Sequence, residues 1–546
     1  MDAKEILNFC LQRGLLIDSE ILNMFAKTTD VESVKIILDK IKNNTNQRII
    51  TKNVFYENKE RINEFFSELP KEKAEKLKIK LGLSIEISRE VSRLAENSNP
   101  ENSDGSLIPG NVKVVSMAQM PGKKLEMGDF VRYFRNRFSE IRNFLQEHPE
   151  LDNLVSINKI SGERQGVSVI GMISEKRVTK NKNILLDVED LTGKTRILVS
   201  QNKKDIYEKA ENISLDSVMG FKCSGNREIL FANDVIFPEA FVYERKFSPK
   251  EEYALFISDV HIGSKLFLEE SFLKFTDYLN GKIPNSNLSE IKKIKYLFVV
   301  GDLVAGVGVY PNQERDLLIP DIEGQYMKVA ELFGKIRKDI TIIILPGNHD
   351  CVRLMEPQPI LDEKYTWPLY ELQNAVFTTN PSTINIGSDE SFHGFDVLCY
   401  HGFSYPYYSN NVPSLIVQNA SIDSPDKIMA YLLQNRHLAP SHSSVQYFPS
   451  EKDPLVIRKI PDIFVSGHLH KSSLSYYNNV LIISNSCWED LTPFQEKIGN
   501  KPDFCKVPMF NLKTRQVKIL DFEGEEHKRK IEAKGLGNNS EKKENK

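Results

Sequence analysis

The sequence predicts a multidomain α/β protein: an N-terminal helical bundle, a small five-stranded β-barrel and a larger α/β domain. Two changes of pattern predict it. Hydrophobic periodicity is helical to about residue 94 and again from Met127, then alternates between Val167 and Phe237. Beyond residue 250, five short runs of β-branched and aromatic residues each end in a polar motif. Length agrees, since 546 residues exceed one hydrophobic core and suit about three domains.

Residues 1–95 read as helices. Ile6, Leu7, Cys10 and Leu11 share one face, as do Ile21, Leu22 and Phe25, and the polar breaks between segments are short. Such a bundle serves either as a docking module for a partner or nucleic acid or as a folded unit with an ordinary solvated surface. The pattern supports both equally. Residues 96–126 read as a flexible linker, because Glu96–Gly110 is rich in Asn, Ser, Pro and Gly and has few apolar anchors.

Residues 127–160 form an amphipathic connector. Its helix, Met127–Glu147, places Phe130, Val131, Phe134, Phe138, Ile141 and Leu145 on one side, with Arg132, Arg135, Arg137 and Arg142 on the remainder. Arg132 and Arg135 are candidate phosphate contacts; the plainer reading is that the arginines are the wet face of the helix. Residues 161–240 then hold strands near Val167–Ile173, Asn183–Glu189, Thr195–Val199, Val218–Cys223 and Ile229–Ile236, with a helix around Lys203–Glu211 after the third. That is the OB-fold order. Only Phe221 and Phe231 offer strand aromatics for stacking on single strands, so a scaffold role fits better than base recognition.

Residues 250–522 hold the chemistry. The runs Tyr253–Ile257, Tyr296–Val300, Thr341–Leu345, Phe395–Tyr400 and Ile463–Val465 look like buried sheet strands. After them come Asp259-Val260-His261, Gly301-Asp302, Gly347-Asn348-His349-Asp350, His401-Gly402 and Gly467-His468-Leu469-His470. One histidine near an apolar strand is ordinarily a satisfied core or surface residue. Five such motifs in one domain, offering carboxylate, amide and imidazole donors, suit a pair of divalent ions instead. His393, His437 and His442 lack the strand-end setting and read as structural.

In this order the motifs resemble the calcineurin-like metallophosphoesterases, a superfamily that includes DNA-repair nucleases. The flanking residues are similar to the small subunits of archaeal family-D DNA polymerases: Gly308-Val309-Tyr310-Pro311, Arg353 with Glu356-Pro357-Gln358-Pro359, Arg436-His437-Leu438-Ala439-Pro440, Pro461-Asp462-Ile463-Phe464, and Trp488 with Thr492-Pro493-Phe494-Gln495. The resemblance covers roughly Val112 to Phe522. It implies a β-sandwich flanked by helices and a hydrolase that cuts DNA 3′ to 5′. By position it puts Asp259, His261 and His470 on one ion, Asn348, His401 and His468 on the other, Asp302 between them, and His349 beside them as the catalytic residue. Asp350 and the Gly347–Asp350 turn would support these ligands. Arg353 becomes a further candidate DNA contact. One departure is Ala305, where relatives carry a polar His or Asp.

Four imidazoles among seven donors favour Mn²⁺, with Mg²⁺ and Zn²⁺ as the other ions the donor set accepts. Partners implied are DNA and a large polymerising subunit, since no polymerase carboxylate motif occurs in this chain. A sliding clamp stays open as a partner, although the tail carries no clamp-binding motif. The other reading is a catalytically weak accessory scaffold, which Ala305 keeps alive. A net charge of −3 excludes a basic nucleic-acid coat. No stretch approaches the roughly 20 apolar residues of a membrane span, and Met1–Leu16 is too charged for a signal peptide. Six scattered cysteines without a CxxC pair suit a reduced cytoplasm. The Lys- and Glu-rich residues 523–546 read as a disordered tail.

Overall fold

The apolar runs become the centre of a sandwich. The computed structural model describes residues 3–18, 21–22, 25, 31–44, 49–50, 112–118, 124–239, 242, 244–497, 499–525 and 527–529. The chain divides into two compact units, Met1–Gly105 and Ser106–Lys546.

In the first unit, helices Ala3–Gln12 and Val31–Asn44 close on a core that includes Ile6, Cys10, Leu15, Phe25, Ile37 and Ile41. A two-residue parallel strand pair, Leu16–Ile17 with Ile49–Ile50, runs beside them, so this part is not purely helical. The remainder of the bundle expected over residues 1–95 lies outside the described residues.

In the second unit, two six-stranded sheets pack face to face. The first runs in the order Ala375–Phe377, Thr341–Leu345, Ile294–Val300, Tyr253–Ile257, Lys506–Asn511, Val517–Asp521, with its first four strands parallel. The second runs Ser473–Tyr477, Val480–Ser484, Ile463–Ser466, Phe395–Cys399, Ser382–Ile386, Val112–Met117. Side chains alternate across each strand, which lets one strand serve two cores. Phe256, Phe298 and Ile343 meet Ile384, Val397 and Ile483 between the sheets. Leu255, Leu297 and Ile342 turn the other way, onto helices Glu269–Leu279 and Ile322–Gly334. Leu398, Phe464 and Ile482 do the same toward Pro425–Gln434.

Val112–Met117 corrects the linker reading of residues 96–126. It pairs antiparallel with Ser382–Ile386, and Val112 and Val114 join the core between the sheets. Six residues with two inward valines are too short a pattern to stand out beside the polar stretch before them. Residues 96–111 and 119–123 lie outside the described residues.

The barrel is closed and five-stranded: Gln165–Val178, Ile184–Glu189, Lys194–Val199, Val218–Gly225 and Leu230–Ile236, with helix Lys204–Glu211 between the third and fourth strands. Phe221 points into its core and Phe231 is exposed. Helix Met127–Gln146 packs Phe138, Ile141 and Leu145 against Ile170, Val218 and Ile236 of the barrel. Here the expected wet face is corrected. Arg137 is buried and Tyr133 fully so, while Phe130 and Val131 are exposed. The cause is Asp453 of the sandwich domain, which takes both Tyr133 and Arg137.

The tail reading is corrected at its start. His527 lies 3.1 Å from Asp490 and stacks edge-on with Phe504, holding residues 527–529 to the domain. Residues 530–546 lie outside the described residues. Among the described residues no helix is long and apolar enough to cross a membrane.

Candidate metal centre

The five strand-end loops converge because backbone bonds lace them together. Asp259 N–H donates to Gly301 O at 3.0 Å, Val260 N–H to Asp302 O at 2.8 Å and Ile262 N–H to Leu303 O at 3.0 Å. Past the end of strand Tyr253–Ile257, Val260 and Ile262 join the core beneath the helices, and the left-handed backbone at Asp259 and His261 aims those two side chains toward the other loops. His349 N–H donates to Asp302 Oδ1 at 2.8 Å, and Gly467 N–H donates to His401 O at 3.0 Å. Asp259, His261, Asp302, His468 and His470 all adopt left-handed backbone angles, with φ between +51° and +71°. Residues other than glycine seldom do so, and such strain concentrates where side chains must be aimed at one point.

Two glycines of the motifs make room for carboxylates. A Cβ on Gly347 would lie 2.2 Å from Asp302 Oδ1, and one on Gly467 would lie 2.6 Å from Asp259 Oδ2. The Gly347–Asp350 and Gly467–His470 turns therefore need glycine for close approach.

Three donor groups result. Asp259, His261 and His470 form the first, Asp302, His401 and His468 the second, and His261, Asp302 and His349 a third that overlaps both. In the first, His261 Nε2 lies 3.1 Å from His470 Nε2, which is 3.4 Å from Asp259 Oδ1. In the second, His401 Nε2 lies 3.2 Å from Asp302 Oδ2 and 3.1 Å from Asn348 Oδ1. His401 Nδ1–H donates to Val300 O at 2.9 Å. With that hydrogen on Nδ1, His401 presents Nε2 to two oxygen acceptors, a position that a proton holds in the metal-free site and a cation can take in its place. The oxygen-and-imidazole set around it suits a divalent ion.

Charge in the site follows from burial and neighbours. Burial alone would raise the Asp302 carboxyl, but His401, His349 and His261 outweigh it and hold it well below the usual carboxylate range. Asp259 is lowered in the same way, chiefly by His470. Burial pushes His261 down to about 4 and His468 down to about 3. His401 goes up to about 10, because the Asp302 carboxylate outweighs its burial. Two ionised carboxylates and two neutral imidazoles offer lone pairs directly, and His401 gives up its proton when a cation takes that place.

His349 is half-buried and opens onto a cleft of about 730 Å³. Its Nδ1–H donates to Ala305 O at 2.8 Å. A backbone carbonyl at residue 305 thus orients the ring, a task that needs no side chain there. Asp350 accepts from Gly347 N–H, Leu303 N–H and Tyr326 Oη–H, which fixes the turn beneath Asn348 and His349.

The expected DNA-contact arginines divide. Arg353 lines a cleft together with Asn348, His349 and Asp350, with its guanidinium on Pro357 O at 2.7 Å and over the Phe448 ring. Arg135 lies in a groove between its helix and the barrel, and Arg132 pairs with Asp129 at 3.3 Å. Neither lines the cleft at His349.

Residues without a reading from the sequence also support the site. Ser258 Oγ–H donates to Asp259 Oδ2. Gln495 Nε2–H donates to His470 Nδ1 at 2.8 Å. Gln313 and Gln325 hold the 305–309 loop through Ala305 O, Val309 N and both polar groups of Gly306. The signal for Gln325 is a glutamine on the apolar face of its helix; Gln495 stands inside a flanking motif.

Residues 254–472 match the calcineurin-like phosphoesterase family. The chain is 39% identical to the DNA polymerase II small subunit of Pyrococcus furiosus over 72% of its own length and 64% of that protein. It is 37% identical to the one from Methanothermobacter thermautotrophicus, over 73% of this chain and 80% of that protein. The chain belongs to the DNA polymerase II small subunit family. A further member, from Halobacterium salinarum, is 31% identical over 78% of this chain and 82% of its own. The matched region spans just under two thirds of the P. furiosus small subunit.

Proposed function

We propose that this chain is the nuclease subunit of an archaeal replicative DNA polymerase. It removes nucleotides 3′ to 5′ from single-stranded or mispaired DNA ends and docks on a large polymerising subunit. The observation that carries this reading is the chain of three donor groups joined through His261 and Asp302, with His349 beside them and open to the cleft. The relatives' designation as small subunits supports the presence of a larger partner.

Asp259, His261 and His470 would hold one divalent ion, Asn348, His401 and His468 the other, with Asp302 shared. Mn²⁺ suits this set best. Bound ions supply an acidified water and neutralise charge on the phosphate. The chain's own part is aim and proton traffic. Val300 O holds the His401 ring and Asp302 holds the His349 backbone, so ligands and catalytic residue move as one body. With its Nδ1–H on Ala305 O, His349 keeps Nε2 for the developing charge and the departing oxygen. The closed barrel reads as an OB module that serves as scaffold, since Phe221 is turned inward.

The purified chain, with Mn²⁺ or with EDTA, is incubated with 5′-labelled single-stranded and primer–template DNA. A metal-dependent ladder shortened from the 3′ end is the expected result. Intact DNA with Mn²⁺ would leave the accessory-scaffold reading instead.

A further inference from the structure

The cleft beyond the donor groups has a character of its own. Tyr310 and Phe494 line it together with His349, His468 and His470. Phe494 is 69% exposed and Tyr310 42%, so neither ring is explained by the core. Single exposed apolar residues are common on protein surfaces. These two differ in how they are held.

Each ring stands on a segment fastened to the site by a buried glutamine. Gln495, next to Phe494, donates to His470 Nδ1 at 2.8 Å while its Oε1 accepts from Thr492 N–H at 3.0 Å. Gln313, three residues after Tyr310, donates to Ala305 O at 2.8 Å, the carbonyl that also takes His349 Nδ1–H. Tyr310 Oη–H donates to Asp316 Oδ2 at 3.0 Å, which fixes the ring further. One aromatic is therefore registered to a ligand histidine and the other to the catalytic histidine.

Charge decides what such a cleft can hold. Among the described residues no lysine or arginine lines it, and Asp316 and Glu489 add negative charge. Arg353 lines the adjoining cleft on the other side of His349, so within this cleft the groups offered to a DNA end are the aromatic rings. Aromatic faces stack on any base regardless of sequence, and about 730 Å³ lies in the range of a small-ligand site.

We propose that Tyr310 and Phe494 form a nucleobase subsite that takes the unpaired 3′-terminal base of a DNA strand and so presents its phosphodiester to the site. This rests on the nuclease reading above. A base already stacked and paired in a duplex has to leave its neighbours to enter, which favours frayed or mispaired ends.

The test uses the full chain with Mn²⁺ and two single-stranded oligonucleotides, one ending in a normal 3′ nucleotide and one in an abasic tetrahydrofuran residue. Wild type should favour the normal end in kcat/KM by roughly 5- to 150-fold, the span of one stacked base. Phe494→Ala and Tyr310→Ala should bring that ratio toward one with metal content unchanged, and Phe494→Trp and Tyr310→Phe should restore it. Equal rates on both ends in wild type, or an unchanged ratio in both alanine variants, would overturn the subsite. If wild type cuts neither strand, the nuclease reading falls. Quenching of a 3′-terminal 2-aminopurine on binding then decides the subsite: quenching lost in Phe494→Ala supports it, and no quenching in wild type overturns it.

Discussion

Arg137 Nε donates to Asp453 Oδ2 at 2.6 Å, and neither side chain is more than 3% exposed. Tyr133 Oη–H takes Asp453 Oδ1 at 2.7 Å, and Arg137 Nη1 donates to Pro440 O at 3.1 Å. His437 Nδ1 accepts from Ala439 N–H, so its Nε2–H donates to Asp453 Oδ2 at 2.9 Å. The helix that packs on the barrel is thereby bolted to the sandwich domain.

Removing one partner of this buried pair leaves the other charge alone. Arg137→Ala should destabilise the second unit by about 3–5 kcal/mol, the usual result for a stranded buried ion. Chemical denaturation followed by circular dichroism measures it; a loss under about 1 kcal/mol would refute the assignment.

Acid should loosen the same junction. Burial, with Arg137 nearby, pushes His437 from 6.5 down to about 4, so the folded state holds it neutral. Burial would raise Asp453, but Arg137 and His437 outweigh it and keep it well below the carboxylate range. A lowered histidine contributes stability that is full above about pH 6.5 and lost as pH falls toward about 4, at about 1.4 kcal/mol per pH unit. The Asp453 contribution is lost lower still, below the ordinary carboxyl value. His437→Asn should flatten the midpoint-versus-pH curve between those two values. An unchanged slope would contradict the neutral assignment.

Neighbouring residues of one turn should separate chemistry from metal binding. His349→Ala should lower DNA cleavage by roughly 10²–10⁴-fold and keep both ions. Asn348→Ala should weaken one position, and Asp302→Ala should loosen both. Metal analysis beside a nuclease assay reads this out: loss of metal in His349→Ala equal to that in Asp302→Ala would show its role to be structural.

A large polymerase polypeptide should co-purify with this chain after deletion of Met1–Gly110, because the first unit ends at Gly105 and the first described strand of the second, Val112–Met117, is kept. Extending the deletion through residue 118 removes Val112–Met117 and bares the Ser382–Ile386 edge, which should cause aggregation on size exclusion. Loss of the partner with the shorter deletion would place docking in the first unit.

Mn²⁺ should support faster cleavage than Mg²⁺ at equal concentration, since four of seven donors are imidazoles and Mg²⁺ prefers oxygen and retained water. Equal rates would argue for an oxygen-dominated site.

The sequence by itself determined the strands and the residues at their ends. Five apolar runs followed by Asp, His, Asn and Gly are local patterns, and alternation fixes which side chains leave the core. The barrel strands and helix were legible for the same reason. Tertiary structure alone decided the rest. Arg137 looks like a surface arginine until Asp453, 316 residues away, takes it inside. Val112–Met117 is a strand only because Ser382–Ile386 offers it an edge. Ala305 orients His349 through a carbonyl, a group every residue carries and no sequence pattern can mark. Tyr310 and Phe494 share a cleft because separate loops return to one sheet end. Periodicity reports which face a residue takes; only the packed chain reports what that face meets.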